Sequence, residues 1–259
     1  MKKMQLDFQG QRVLVTGSTM GIGLGIAEAF HLAGATVAIN GRSGDSVAKA
    51  IAALGGGKRL VAAPGDFGSS VERNAALEKL LRDFGGLDVL VNNAGHGEDC
   101  PVDAITEAYW ERLVALNLKG AFFASQTCLP ALRASRGCII NVSSGLGLIA
   151  GFAGTIVYCM TKSAMVQMTK SMAFELAADE VRVNSLIPGW TDTPMIRREN
   201  EKAGNNALLD YINYTTPAGR VGTVEECAGA ALYLAAPFAR YTTGAALVVD
   251  GGLTAGRFI

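Results

Sequence analysis

Tyr158 and Lys162 stand four residues apart, and Ser144 lies a short loop before them. On a helix, side chains at i and i+4 share one face, so the Lys162 ammonium can sit beside the Tyr158 phenol. A free tyrosine titrates near pH ~10 and is a poor acid–base group at neutrality. A cation within about 4–6 Å favours the phenolate and brings that pKa toward the working range. Ser144 adds a neutral hydroxyl that can hydrogen-bond a carbonyl or alcohol oxygen. The three residue types together make a proton-transfer device. A Tyr-x-x-x-Lys spacing alone is also a common chance surface pair, so the elements that carry it decide between the readings.

Those elements alternate. Short apolar strands are predicted at residues 12–16, 36–40, 60–63, 87–91, Cys138–Val142, 182–186 and Ala246–Val249. Helical patterns follow at 22–33, 46–53, 71–84, 106–134, from Tyr158 to about 178, and after 223. Ser69 with Glu72 and Thr223 with Glu226 have the spacing of capping boxes. Strand–helix alternation predicts an α/β fold: a doubly wound, Rossmann-type parallel sheet of about seven strands with helices on both faces. No linker or repeat interrupts it, so residues 1–259 read as one domain. Residues 193–220 break the rhythm, being polar and rich in Arg and Glu. They read as an excursion over the site, either a mobile lid or a solvated helix pair.

Composition narrows the function. Lys+Arg and Asp+Glu balance at 23 each, which leaves no basic stripe for nucleic acid. No apolar run is long enough to span a membrane, and the charged start, residues 1–8, has no apolar segment behind it to act as a leader. Cys100, Cys128, Cys138, Cys159 and Cys227 are scattered and odd in number, without a CxxC pair. Neither a disulfide framework nor a bound metal is expected, and a reducing cytoplasm fits. Cys159 reads as a small packed side chain more readily than as a reactive thiol. Only 18% of residues are charged, against roughly 25% in typical domains, which favours a large core and a homo-oligomer.

After the first strand comes Thr16-Gly17-Ser18-Thr19-Met20-Gly21-Ile22-Gly23. Glycines at a strand-to-helix turn let backbone approach a pyrophosphate, and the helix N-terminus offers free N–H groups. The spacing is Gly-x-x-x-Gly-x-Gly rather than Gly-x-Gly-x-x-Gly. The end of the second strand should read the adenosine ribose. It has Gly41 where a carboxylate would select NAD, followed by Arg42, which suits the 2′-phosphate of NADP. NADP(H) is therefore favoured over NAD(H). Met20 supplies no second cation.

In order along the chain stand Thr16-Gly17-x-x-x-Gly21-Ile22-Gly23, Asp66, Asn92-Asn93-Ala94-Gly95, Asn117, Ile140-Asn141-Val142-Ser143-Ser144, Tyr158-x-x-x-Lys162, Asn184, Pro188-Gly189 and Asp250-Gly251-Gly252. With these motifs the chain closely resembles the classical short-chain dehydrogenase/reductases over essentially its whole length. The resemblance implies Tyr158 as acid or base, with Lys162 lowering its pKa and holding the nicotinamide ribose. It implies Ser144 on the substrate oxygen and Asn117 completing a proton relay through a water. Asn93, Ala94 and Gly95 would line the adenine ribose, and Asp66 with Phe67 would meet the adenine. Pro188, Gly189, Thr191 and Thr193 would embrace the nicotinamide. The Ser144-to-Tyr158 gap is one residue longer than usual in that family, which leaves Ser143 as a lesser alternative to Ser144.

Loops carrying His96, Leu146 and Trp190 are the candidates to touch substrate. The leading expectation is interconversion of a carbonyl and a secondary alcohol on a small polyol, sugar-acid or keto compound. A 3-oxoacyl thioester reductase of fatty-acid synthesis is the alternative, weakened by Phe174 where such enzymes often carry Arg. A non-catalytic dinucleotide sensor is a third reading, disfavoured by the intact Ser144, Tyr158 and Lys162. The family commonly forms tetramers, so a homotetramer is the expected assembly.

Overall fold

The computed structural model describes residues 6–256; residues 1–5, part of the charged start, and 257–259 lie outside the described residues. Seven parallel strands form one sheet in the order β3-β2-β1-β4-β5-β6-β7. They are β1 (Arg12–Val15), β2 (Thr36–Gly41), β3 (Leu60–Pro64), β4 (Val89–Asn92), β5 (Cys138–Val142), β6 (Arg182–Pro188) and β7 (Ala246–Val249). The helices are α1 (Gly21–Leu32), α2 (Gly44–Ala53), α3 (Ser70–Phe84), α4 (Glu107–Val114), α5 (Ala121–Ser135), α6 (Ile156–Leu176), α7 (Pro194–Ala203), α8 (Ala207–Thr215) and α9 (Val224–Ala235).

Side chains alternate across a strand, and here both faces are covered. Val13, Val15, Ile140 and Val142 pack in one layer with Ile26 and Phe30 of α1, Val47 of α2 and Leu234 of α9. Leu14, Leu90 and Ile139 pack in the other with Leu77 of α3, Leu132 of α5 and Leu176 of α6. The chain builds outward from β1 to β3, then returns to lay β4 on the other side of β1. The loops leaving β1 and β4 therefore diverge and open a crevice at their carboxyl ends, where ligands bind in such sheets.

Several local expectations are corrected. The fourth strand begins at Val89, not 87, because Asp88 is held by Arg12: its carboxylate accepts from Arg12 Nε at 2.9 Å. The long helix expected at 106–134 is α4 and α5 joined by a π-helical turn, Ala115–Gly120. Residues 193–220 hold two helices, α7 and α8, which matches the helix pair, one of the two readings of that segment. The Ser69 capping box is only half made. Ser69 Oγ accepts from Glu72 N at 3.3 Å, but Glu72 Oε2 accepts from Asp66 N at 3.0 Å, since Ser69 N already donates to Asp66 O. At Thr223 both halves of the box form.

Candidate active site

The glycine turn after β1 is held from below. Gly17 N donates to Asn40 Oδ1 at 2.9 Å, and Asn40 Nδ2 donates to the carbonyls of Ala63 and Gly65 at 2.8 and 3.1 Å. Asn40, at the end of β2, thus ties the turn to the exit of β3. Ser18 is spent inside the turn: its hydroxyl donates to Val15 O at 2.7 Å and accepts from Asn40 N at 3.0 Å. Gly17 and Gly21 have φ of +62° and +56°, which only glycine adopts cheaply. A Cβ on Gly23 would lie 2.6 Å from Gly17 O and collide with the Asn93 amide.

Ser43, Ser69, Thr106, Thr193 and Thr223 each cap a helix with a side-chain oxygen. Met20, ahead of α1, makes no such bond. The first N–H groups of α1 are therefore left to point into the crevice. A close-approach turn and an uncapped helix N-terminus together suit a dinucleotide pyrophosphate.

Across the crevice stands Thr193, whose Cγ2 would lie 3.4 Å from a Cβ on Gly21. Thr193 Oγ1 also caps α7, accepting from Ile196 N at 3.4 Å. Thr191 is turned inward, donating to Gly189 O at 3.2 Å and lying 3.6 Å from Cys227 Sγ. Asp66 Oδ1 accepts from Gly68 N at 2.8 Å, and Phe67 beside it is buried. Arg42 is exposed and lines a cavity of about 360 Å³ with Pro64, Gly65, Glu72 and Lys79. A Cβ on Gly41 would lie 2.5 Å from Thr19 Cγ2, so a side chain there requires the Thr19 side chain to turn aside.

β5 ends at Val142 and delivers two serines with different fates. Ser143 is buried, its hydroxyl donating to Lys162 O at 2.8 Å. Ser144 is half-buried, accepts from Leu146 N at 3.2 Å and lies near enough to the Tyr158 phenol to favour its ionised form. Lys162 is buried; its Nζ donates to Val142 O at 2.9 Å and lies 5.7 Å from the Tyr158 ring centroid. Burial pushes Lys162 down to about 8. Burial likewise pushes the Tyr158 phenol up from its ordinary value, against the opposing effect of the Ser144 hydroxyl. In this arrangement desolvation sets the direction of the Tyr158 shift, opposite to the lowering expected from a neighbouring cation.

Asn117 sits fully buried in the π-helical turn. Its Oδ1 accepts from His96 N at 2.8 Å, and its Nδ2 donates to His96 O at 2.9 Å and Thr161 Oγ1 at 3.2 Å. A Cβ on Gly95 would lie 3.3 Å from both Asn117 Oδ1 and Lys162 Nζ, so this glycine keeps the space between them open. The His96 ring is exposed, with Nε2 3.7 Å from Glu98, which pairs with Arg112 at 2.6 Å. Gly97 lies against the Tyr158 ring.

Beneath the site runs a buried polar chain that no spacing rule reveals. Asn92 Nδ2 donates to Ser125 Oγ and to Asn141 Oδ1, both at 2.9 Å. Asn141 Nδ2 donates to Thr169 Oγ1 at 2.9 Å, and Thr169 meets Ser185 at 2.7 Å. The chain links β4, α5, β5, α6 and β6, and so fixes the helix that carries Tyr158 and Lys162. Asn92 and Asn141 belong to motifs legible in the sequence, but their partners are not. Asn40 carried no such signal.

A hydroxyl pair beside a buried lysine, next to a cradle for a dinucleotide, is the equipment of a hydride-transfer enzyme. The chain belongs to the classical short-chain dehydrogenase/reductase family, whose members are oxidoreductases that interconvert hydroxyl and carbonyl groups with a nicotinamide dinucleotide. A family profile described as enoyl-(acyl carrier protein) reductase matches residues 17–254. The chain is 36% identical to a D-β-hydroxybutyrate dehydrogenase of Cupriavidus necator, covering 95% of this chain and 98% of that one. It is 37% identical to a 3-oxoacyl-(acyl-carrier-protein) reductase of Aquifex aeolicus, with 96% and 100% covered. Among solved structures, a gluconate 5-dehydrogenase from Burkholderia cenocepacia, crystallised with NADP and tartrate, superposes with a TM-score of 0.88 at 32% identity, covering 98% of each chain.

Proposed function

We propose that this chain is an NADP(H)-dependent oxidoreductase interconverting a carbonyl and a secondary alcohol on a small polyol, sugar-acid or keto compound. The observation that carries the reading is the Ser144–Tyr158 hydroxyl pair set beside buried Lys162 at the carboxyl end of the sheet. The bound nicotinamide supplies or accepts the hydride. Ser144 donates a hydrogen bond to the substrate oxygen and stabilises charge as it develops there. Tyr158 gives its phenolic proton to that oxygen in reduction and takes it back in oxidation. Lys162 holds the ribose and restores the phenol's proton, with Asn117 and the space beside Gly95 completing the relay. Thr193, at the head of α7, faces the glycine turn from the other side of the crevice.

The preference for NADP(H) is supported by exposed Arg42 and by Gly41, which carries no carboxylate to repel a 2′-phosphate. Arg42→Ala is expected to raise the KM for NADPH by about tenfold, equivalent to roughly 1.4 kcal/mol, with the KM for NADH unchanged. Equal kinetics with both dinucleotides before and after the substitution would remove the preference. A matrix of NADPH and NADH against hydroxy and oxo compounds tests the whole reading. Absence of turnover with every carbonyl, alongside dinucleotide binding, would sink it.

The Aquifex relative favours a second reading, reduction of a 3-oxoacyl thioester. Against it, Phe174 is 89% exposed where a carrier-docking arginine would be expected. Acetoacetyl thioester turnover separates the two. We place the enzyme in the cytoplasm as a homo-oligomer, a tetramer being favoured. Apolar side chains exposed on α4 to α6 (Trp110, Phe122, Met160) support association, and sedimentation as a monomer would refute it.

A further inference from the structure

Phe152 and Trp190 lie on different loops, yet their rings stack with centroids 5.7 Å apart and planes 9° from parallel. One loop leaves β5 after Ser144; the other leaves β6 after Pro188-Gly189. Each ring has its own anchor. Phe152 O accepts from both the backbone N and the hydroxyl of Thr155, at 3.1 and 2.7 Å, at the head of the helix carrying Tyr158. Gly151 presses the loop onto that helix, since a Cβ there would lie 2.7 Å from Cys159 Sγ and collide with Thr155 Oγ1. Trp190 O accepts from Gly222 N at 2.8 Å, and a β-bridge joins Thr191 to Gly222.

We propose that Phe152 and Trp190 are specificity-determining residues, an aromatic bridge across the mouth of the substrate cleft that restricts the carbonyl's substituents to small ones. The inference rests on the carbonyl-reducing reading above. Two anchored segments, one leaving β5 through Ser144 and the other leaving the neighbouring β6, meet through these rings, and the contact narrows the space between them. Phe152 remains 43% exposed, so the stack closes the mouth from the solvent side instead of forming part of a core. A single methylene in an apolar pocket already changes kcat/KM by about 10- to 200-fold, and a phenyl ring is a larger obstacle than that.

Trp110 and Trp190 are the chain's two tryptophans, so a Trp110→Phe background makes Trp190 the sole emitter. In that background, Phe152→Ala is expected to shift Trp190 emission to the red and raise its quenching by acrylamide. It is also expected to raise kcat/KM for ethyl benzoylacetate relative to ethyl acetoacetate by at least about tenfold, while Phe152→Tyr keeps the ratio of the parent. Unchanged emission and quenching overturn the bridge. Altered emission with an unaltered ratio of the two esters overturns its part in specificity. If neither ester is reduced by any variant, the specificity role falls with the carbonyl-reducing reading, whereas the emission result still decides whether the bridge exists.

Discussion

Replacing Tyr158 with Phe is expected to lower kcat by about 10²- to 10⁴-fold, the usual worth of a positioned general acid, while the protein stays folded. The substitution removes one hydroxyl and keeps the ring, which packs with Tyr109, Leu113 and Val157. Dinucleotide titration and thermal unfolding should therefore change little while single-turnover reduction collapses. A kcat close to that of the parent would show that another group delivers the proton. The raised pKa of Tyr158 adds a directional signature. At neutral pH the phenol is protonated, the form reduction needs, whereas oxidation needs the phenolate. The oxidative rate should therefore keep rising to more alkaline pH than the reductive rate, and a parallel pH dependence in both directions would contradict this assignment.

Lys162→Met should abolish most activity and at the same time stabilise the fold. Lys162 is held down to about 8 in the folded protein against 10.5 as its ordinary value. Below pH 8 the lysine is charged in both states, and the folded state bears the full cost of burying that charge. As pH rises from about 8 to about 10.5 the folded state is already neutral while the unfolded chain still holds its proton, so stability increases through that window. The difference corresponds to something on the order of 3 kcal/mol. Methionine fills similar volume without the charge, so the variant should unfold at higher denaturant concentration at pH 7 and show a flatter pH dependence between 8 and 10. A variant less stable than the parent at pH 7 would mean that the Lys162–Val142 hydrogen bond outweighs the desolvation. An active site that costs stability is a common trade.

What could be read from the sequence was whatever has a period or a local spacing. The apolar run Val13-Leu14-Val15 and the glycines at 17, 21 and 23 are properties of short windows, and they place the sheet and its crevice. The i,i+4 relation of Tyr158 and Lys162 is another. Features set by distant packing were not legible. Nothing in the Ala115–Gly120 stretch announces a π-helical turn, and the partners of its Asn117, both backbone groups of His96, lie 21 residues away. The direction of the Tyr158 shift is not legible for a related reason: spacing shows which charges are neighbours but not how much water they lose. Asn40 looked like an ordinary strand end, and its role emerges only when β1, β2 and β3 are side by side. Phe152 is in the same position, since its partner lies 38 residues away.

The crowding of Gly41 by Thr19 sets an order on how the dinucleotide preference could change over time. A carboxylate at position 41 would be the direct route to the ribose hydroxyls of NAD, yet its first carbon would lie 2.5 Å from the Thr19 methyl, so the Thr19 side chain must rotate to admit it. Gly41→Asp should therefore gain less activity with NADH in the parent than the same change after Thr19→Gly. Kinetics of the two single variants and the double variant would measure that epistasis directly, and simple additivity would refute it. One methyl group thus biases the order of change: a side chain trimmed at one position eases the arrival of another beside it.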